Sequence, residues 1–128
     1  MKIRWTQDSV RFRISPTELE TLLQGSTVSE TLTLSGDNGW RAAILPGRPE
    51  TTLTLQNGVL SIALAEAYLR RLAEPDIEGI YFQQESDPPI RYYIEKDFPC
   101  AHPRASEARE PARETFAPPE GFLERKSP

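Results

Sequence analysis

The sequence predicts an α+β fold: a mostly antiparallel sheet or barrel of about eight strands with two short helices. Three observations predict it. The chain opens with two arms that alternate apolar and cationic residues over Lys2 to Ile14. Asn57-Gly58, flanked by alternating residues, is the strongest short hairpin signal. The apolar pattern repeats when the chain is slid by 50 residues, Ile3 falling on Leu53 and Phe12 on Ile62.

The opening arms pair around a two-residue loop at Gln7-Asp8. Trp5 then faces Val10, Arg4 faces Arg11, Ile3 faces Phe12 and Lys2 faces Arg13. Opposed residues share a face, so one side of the ribbon is apolar and the other cationic. Ser15-Pro16-Thr17-Glu18 is a capping-box start, and Leu19, Leu22 and Leu23 give a helical stripe over about 16–24. Thr27 to Leu34 alternates again, with Val28, Leu32 and Leu34 on one side. A turn at Gly36-Asp37-Asn38-Gly39 leads to a strand from Trp40 to Leu45, which Pro46-Gly47-Arg48-Pro49 breaks.

Thr52 to Leu64 repeats the opening hairpin, pairing Leu55 with Leu60 and Leu53 with Ile62, but its other face is neutral, Thr54 opposing Ser61. Ala65 to Glu74 reads as a second helix with Tyr68, Leu69 and Leu72 as its buried stripe. Ile80 and Phe82 mark a strand, Asp87-Pro88-Pro89 a turn, and Ile90, Tyr92 and Ile94 the last strand. The gapless slide also sets Leu19 on Leu69, Leu22 on Leu72, Leu32 on Phe82, Trp40 on Ile90 and Ile44 on Ile94. Val28 against Glu78 and Leu34 against Gln84 break the pattern. The expected architecture is ββαββ twice, with the first hairpin and the last strand as neighbours if the sheet closes.

The expected organisation is an α+β domain over 1–98, with possible halves 1–48 and 49–98, and a Pro- and charge-rich tail over 99–128 that is partly disordered and able to lay Phe116 across the domain. At 128 residues there is chain enough for a core without disulfides, and Cys100 is the single cysteine. A net charge of −4 and a pI near 5.1 argue against a general nucleic-acid binder. No apolar run reaches the ~20 residues of a membrane helix, and no signal-peptide core is present, so a cytoplasmic protein is expected.

Two groups of side chains could carry chemistry. The cationic side of the first hairpin, Lys2, Arg4, Arg11 and Arg13, with Arg91, Glu95 and Lys96 nearby, suits an anion or an acidic protein surface, because arginine forks match carboxylate and phosphate geometry. The competing reading is a solvated face neutralised by Glu30, Glu85 or Glu95. Asp97, Cys100 and His102 have ligand chemistry for a zinc-like ion, yet a structural site wants four ligands and no second Cys or His exists. No catalytic residue is assigned and no cofactor is expected, since phosphate-loop, dinucleotide-binding and hydrolase-elbow patterns are missing. The leading expectation is a non-enzymatic binding module. The alternative is an enzyme acting on a phosphorylated substrate inside a charged barrel.

Met1-Lys2-Ile3-Arg4 with Ser9-Val10-Arg11-Phe12-Arg13-Ile14, and Ile94-Glu95-Lys96-Asp97-Phe98-x-Cys100, resemble a bacterial family known only as a domain of unknown function. The resemblance covers roughly residues 1–120. It implies a small protein with an Arg-rich hairpin and a Glu-Lys-Asp-Phe-x-Cys closing motif, and it implies no activity. The tail departs from it: Phe116-Ala117-Pro118-Pro119 stands where a Phe-Pro-Asn-Pro-like segment is expected, and Arg104, Arg109 and Arg113 stand where acids are expected.

Overall fold

A computed structural model describes residues 1–36 and 38–98. Its elements are β1 (Lys2–Trp5), β2 (Ser9–Ile14), α1 (Pro16–Leu23), β3 (Val28–Ser35), β4 (Asn38–Arg48), β5 (Thr52–Gln56), β6 (Val59–Ala65), α2 (Glu66–Leu72), β7 (Gly79–Gln84) and β8 (Ile90–Lys96). The expected tail, 99–128, lies outside the described residues.

The described strands form two four-stranded sheets, and there is no closed barrel among the described residues. Sheet I has the order β1-β2-β8-β7 and sheet II the order β3-β4-β6-β5. Each ββαββ half gives one hairpin to each sheet. The hairpins are antiparallel, as their turns require, but they meet through parallel pairs, β2 with β8 and β4 with β6. Four of the six described pairings are antiparallel, so the sheets are mostly antiparallel as expected, with one parallel join in each that local turn signals do not reveal. The first hairpin and the last strand are neighbours, as expected, in an open sheet.

Register shows how closely the halves correspond. Ser9 pairs with Arg91 in sheet I, and Val59 with Arg41 in sheet II. Adding 50 to one partner and subtracting 50 from the other converts the first pair into the second. Within the hairpins, adding 50 to both partners converts Lys2↔Arg13 into Thr52↔Ala63. The Arg91 amide donates to Asp8 O at 3.0 Å and the Arg41 amide to Gly58 O at 2.8 Å, again equivalent positions. β3 and β7 depart from this rule. Val28↔Ile44 matches Ile80↔Ile94, Glu30↔Ala42 matches Phe82↔Tyr92, and Leu32↔Trp40 matches Gln84↔Ile90. Their offset is therefore 52 (80 − 28), because two residues have moved from the hairpin loop into the linker after the helix. Leu32 consequently matches Gln84, not Phe82, and Val28 finds its buried counterpart in Ile80.

The apolar faces of the sheets and helices share one core. Phe12, Ile14, Ile44, Ile62, Leu64 and Ile94 come from the strands, and Leu22, Leu69 and Leu72 from the helices. No polar or charged side chain among the described residues is buried. Full burial of each large side chain contributes about 1.5–3 kcal/mol. Helix α1 starts as expected: Ser15 Oγ accepts from the Glu18 amide at 3.2 Å, Glu18 Oε1 accepts from the Ser15 amide at 2.9 Å, and Pro16 occupies the first turn. Helix α2 has no side-chain cap. Asn57 and Gly58 have φ of 53° and 75°, the pair of positive angles that a type I′ turn demands.

Some expectations fail at the surface. Phe12 is fully buried, but Trp5 is 66% exposed, because β1 is an edge strand and its tip extends past the core. Leu23, Leu32, Leu34 and Tyr68 are also exposed. Leu32 and Leu34 lie on the edge strand of sheet II, and the short α2 turns only Leu69 and Leu72 fully inward. Pro46-Gly47 does not end its strand. β4 continues to Arg48 through an irregularity between Leu45 and Arg48, with Gly47 at φ 67°.

Candidate functional site

Strand alternation places Lys2, Arg4, Arg11, Arg13, Arg91, Tyr93, Glu95 and Tyr81 on the outer face of sheet I. Register orders them in rows. Arg4, Arg11, Tyr93 and Tyr81 run across the four strands, and Lys2, Arg13, Glu95 and Gly79 form the next row. Two arginines therefore continue into two tyrosines, and two further cations into a carboxylate.

The centre of this face is a network. Arg11 Nε lies 2.5 Å from Glu95 Oε1, with both atoms withdrawn from solvent. The Arg11 guanidinium also sits over the Tyr93 ring at 5.5 Å. Tyr81 donates its hydroxyl to Glu95 Oε2 at 3.3 Å, and its ring meets Tyr93 edge-on at 5.3 Å. Gly79, opposite Glu95, leaves room for this arrangement: a methyl group there would sit 2.9 Å from Glu95 Cγ and 3.0 Å from the Tyr81 hydroxyl. Burial and then the Glu95 charge push the Tyr81 pKa up.

The rest of the face is partly balanced. Lys2 Nζ is 2.9 Å from Asp97, and Arg91 Nη2 is 3.4 Å from Asp8. The Lys2 hydrogen bond holds the Asp97 carboxyl below its usual pKa, with Lys2 and Arg13 adding to the effect by charge. Arg13 makes no ion pair among the described residues, and neither terminal nitrogen of Arg11 makes a hydrogen bond among them. Glu30 turns elsewhere: with Glu18 it holds the Met1 ammonium, at 2.8 and 2.7 Å.

A family model matches residues 1–119. The chain belongs to a family of unknown function (DUF7009). No curated protein and no solved structure matches it.

In this DUF7009 chain, Lys2, Arg4, Arg11, Arg13, Arg91 and Glu95 come together on one face. Lys96 does not join them: it alternates to the other side of β8 and donates Nζ to Glu74 O at 2.8 Å. Of the metal-ligand candidates, Asp97 pairs with Lys2, while Cys100 and His102 lie outside the described residues. No cluster of three His, Cys, Asp or Glu side chains suited to a metal is present among the described residues.

Sequence reasoning missed Tyr81, Tyr93 and Gly79. Tyr93 was visible as the residue between Arg91 and Glu95 on an alternating strand; what was hidden is that β8 docks beside β2. Also missed was an apolar cleft of about 390 Å³ at the hairpin-loop end, lined by Trp5, Val10, Trp40, Leu53, Leu55 and Leu60 among others. Trp5 and Trp40 meet edge-on there at 6.1 Å.

Proposed function

We propose that this protein is a binding module whose outer sheet I face takes an anionic group, either a small anion or the carboxylates of an acidic protein surface. One observation carries the reading. Lys2, Arg4, Arg11 and Arg13 occupy the same register positions as Thr52, Thr54, Ser61 and Ala63 of sheet II. The hairpin therefore folds without the cations. Setting arginine opposite arginine disfavours the sheet unless a negative group lies nearby; Glu95 pairs with Arg11 and Asp97 with Lys2, while Arg13 makes no ion pair among the described residues. Arg11 and Arg13, two apart on β2, offer guanidinium nitrogens at one spot, suited to two-pronged recognition of phosphate or carboxylate.

An enzyme working inside a charged barrel needs its charges enclosed. Here the described core is apolar and the cations face outward, which favours binding over that alternative. No described helix is long and apolar enough to cross a membrane. A cytoplasmic setting fits the lone cysteine.

The test is a titration with inorganic pyrophosphate and, separately, a glutamate octamer, followed by NMR of the arginine side chains. Shifts are expected at Arg11 and Arg13 and not at Arg41 on sheet II. The variant Arg11→Ser, Arg13→Ala, Glu95→Leu copies the sheet II identities, so it leaves no carboxylate stranded, and it should fold and lose the response. Equal shifts on both sheets, or a response that survives the variant, overturn the reading.

A further inference from the structure

We infer that the outer face of sheet I takes a single nucleoside phosphate, with the phosphate on Arg11 and Arg13 and the base on Tyr81. The phosphate half of this inference rests on the anion reading above. The base half rests on separate observations.

The first is a pair of rings that the fold does not require. Tyr81 pairs with Tyr93 across β7 and β8, and the corresponding pair in sheet II is Ser29 with Ala43. The same strand plan therefore stands on a serine and an alanine where sheet I sets two phenols. Tyr93 lies under the Arg11 guanidinium, but Tyr81 is 56% exposed. An exposed ring is a platform for stacking, because every base has a π-face. The second observation is a hollow of about 160 Å³ at the β7 edge, lined by Tyr81, Gly79, Ile80, Tyr68 and Arg71. Gly79 contributes no side chain to fill it. The hollow has room for one ring system, and Arg71 on its wall carries N–H donors for the nitrogens and carbonyls of a base.

Spacing joins the two halves. Arg11, Tyr93 and Tyr81 stand in one row across β2, β8 and β7. The cation and the open ring are therefore two strand spacings apart, about 9–10 Å. That matches the reach from a base to the terminal phosphate of a nucleoside diphosphate. Arg13 makes no ion pair among the described residues, and the terminal nitrogens of Arg11 make no hydrogen bond there, so both forks suit phosphate oxygens. Lys2 is held by Asp97, and neither it nor Arg4 is called upon. Glu95 lies between the two ends. Its Oε1 faces Arg11 and its Oε2 accepts from Tyr81. A carboxylate there repels a phosphate but accepts from a hydroxyl, so the sugar belongs over it. Tyr81 is also the one ring left open on this face among the described residues. One platform, with a carboxylate at mid-face, fits one nucleotide better than a strand, whose next base finds no platform and whose next phosphate meets Glu95.

The experiment titrates the full chain, so that any competing segment of its own is present, with ADP, with inorganic pyrophosphate and with an adenine hexaribonucleotide. NMR reads the Tyr81 ring and the Arg11 and Arg13 side chains. ADP should shift all three and bind about tenfold or more tightly than pyrophosphate, the worth of one stacked base. Tyr81→Ala should remove that advantage and leave pyrophosphate binding near the wild-type value. Tyr81→Phe, which keeps the ring, should retain the advantage. Arg13→Ala should weaken both ligands. ADP that binds no more tightly than pyrophosphate, or leaves the Tyr81 ring unmoved, overturns the nucleotide assignment and leaves the anion reading standing. A hexaribonucleotide that binds far more tightly than ADP overturns the single-nucleotide assignment. Failure of ADP and pyrophosphate alike sinks both readings.

Discussion

Sheets I and II share a strand plan and, at their parallel centres, the same register, yet their outer faces have little in common. Tyr93 and Glu95 of sheet I correspond to Ala43 and Leu45 of sheet II, and four cations correspond to two threonines, a serine and an alanine. Inside, the match is close: Phe12 with Ile62, Ile14 with Leu64, Leu22 with Leu72, all fully or almost fully buried. The inward residues set the register, because a one-residue slip would turn every apolar side chain to water. The outward residues are released from that demand. Sheet II is therefore a control for sheet I, showing what the fold needs and what was added.

The largest effects should come from the shared interior. Phe12→Ala is expected to cost about 3–5 kcal/mol and Ile62→Ala about 2–5 kcal/mol, each by losing buried area and leaving a cavity. Urea denaturation measures both. Near-normal stability in one of the pair would show that the two halves do not share the core equally, and the control would fail.

Next in size is Gly79→Ala, expected to cost about 1–3 kcal/mol through crowding. Its methyl group must push aside Glu95 and the Tyr81 hydroxyl, so the Tyr81–Glu95 hydrogen bond should be lost. Its partner in sheet II register, Thr27, precedes β3 and faces no such network. The spectroscopic titration of Tyr81 reports the change: with the Glu95 contact gone, its pKa should fall back toward the ordinary value of 10.0.

The helices offer a third contrast, since α1 has a capping box and α2 has none. Glu18→Ala should cost about 1–2 kcal/mol. Burial alone would raise the Glu18 pKa, but the Met1 ammonium and the Ser15 amide outweigh it and hold the carboxyl below 4.5. A depressed carboxyl contributes stability that is present above its unfolded value and is lost as pH falls through the folded value. The wild-type chain should therefore lose stability on acidification below about pH 4.5, and Glu18→Ala should lose less over the same window. The Met1 ammonium works in the opposite sense. Burial lowers its pKa, yet the Glu18 and Glu30 contacts raise it above 8.0, so its contribution is present below that value and disappears as pH climbs through the folded one. An unchanged acid limb in the variant would remove Glu18 from the account.

How much of this could be read from the sequence depends on the range of each interaction. Both hairpin registers, the capping box and the apolar stripes follow from neighbours a few residues apart, and Trp5↔Val10 through Lys2↔Arg13 form as written. The repeat was legible because the paired core positions keep their spacing. The two-residue offset of β3 was not: with no identities to anchor it, a gapless slide sets Leu32 on Phe82. The parallel joins β2–β8 and β4–β6 link residues about 80 and 20 positions apart, 91 − 9 = 82 and 59 − 41 = 18, and leave no periodic trace in the sequence. The cationic side of the site was visible within β1 and β2. Its tyrosine side was not, because it exists only once β8 is placed beside β2.

The smallest expected effect tests the finest difference, at the outer edges of β5 and β1. Gln84 on β7 accepts from the Leu53 amide at 3.2 Å, while Leu32, in register with Gln84, has no acceptor to offer the Ile3 amide. Gln84→Leu gives the β5 edge the residue that β3 has. It leaves the Leu53 amide without its acceptor at a partly buried position, which should cost about 1 kcal/mol. Leu32→Gln makes the reverse exchange and should add an acceptor for the Ile3 amide. Amide hydrogen exchange separates the two cleanly, because it reads each edge by its own residue: Leu53 should exchange faster in the first variant, and Ile3 more slowly in the second. If Ile3 is already as protected as Leu53 in the wild-type chain, the two edges are equivalent and the contrast between them is wrong. If Ile3 exchanges freely until Leu32→Gln is introduced, then the residue at this one register position decides which edge of the molecule is open.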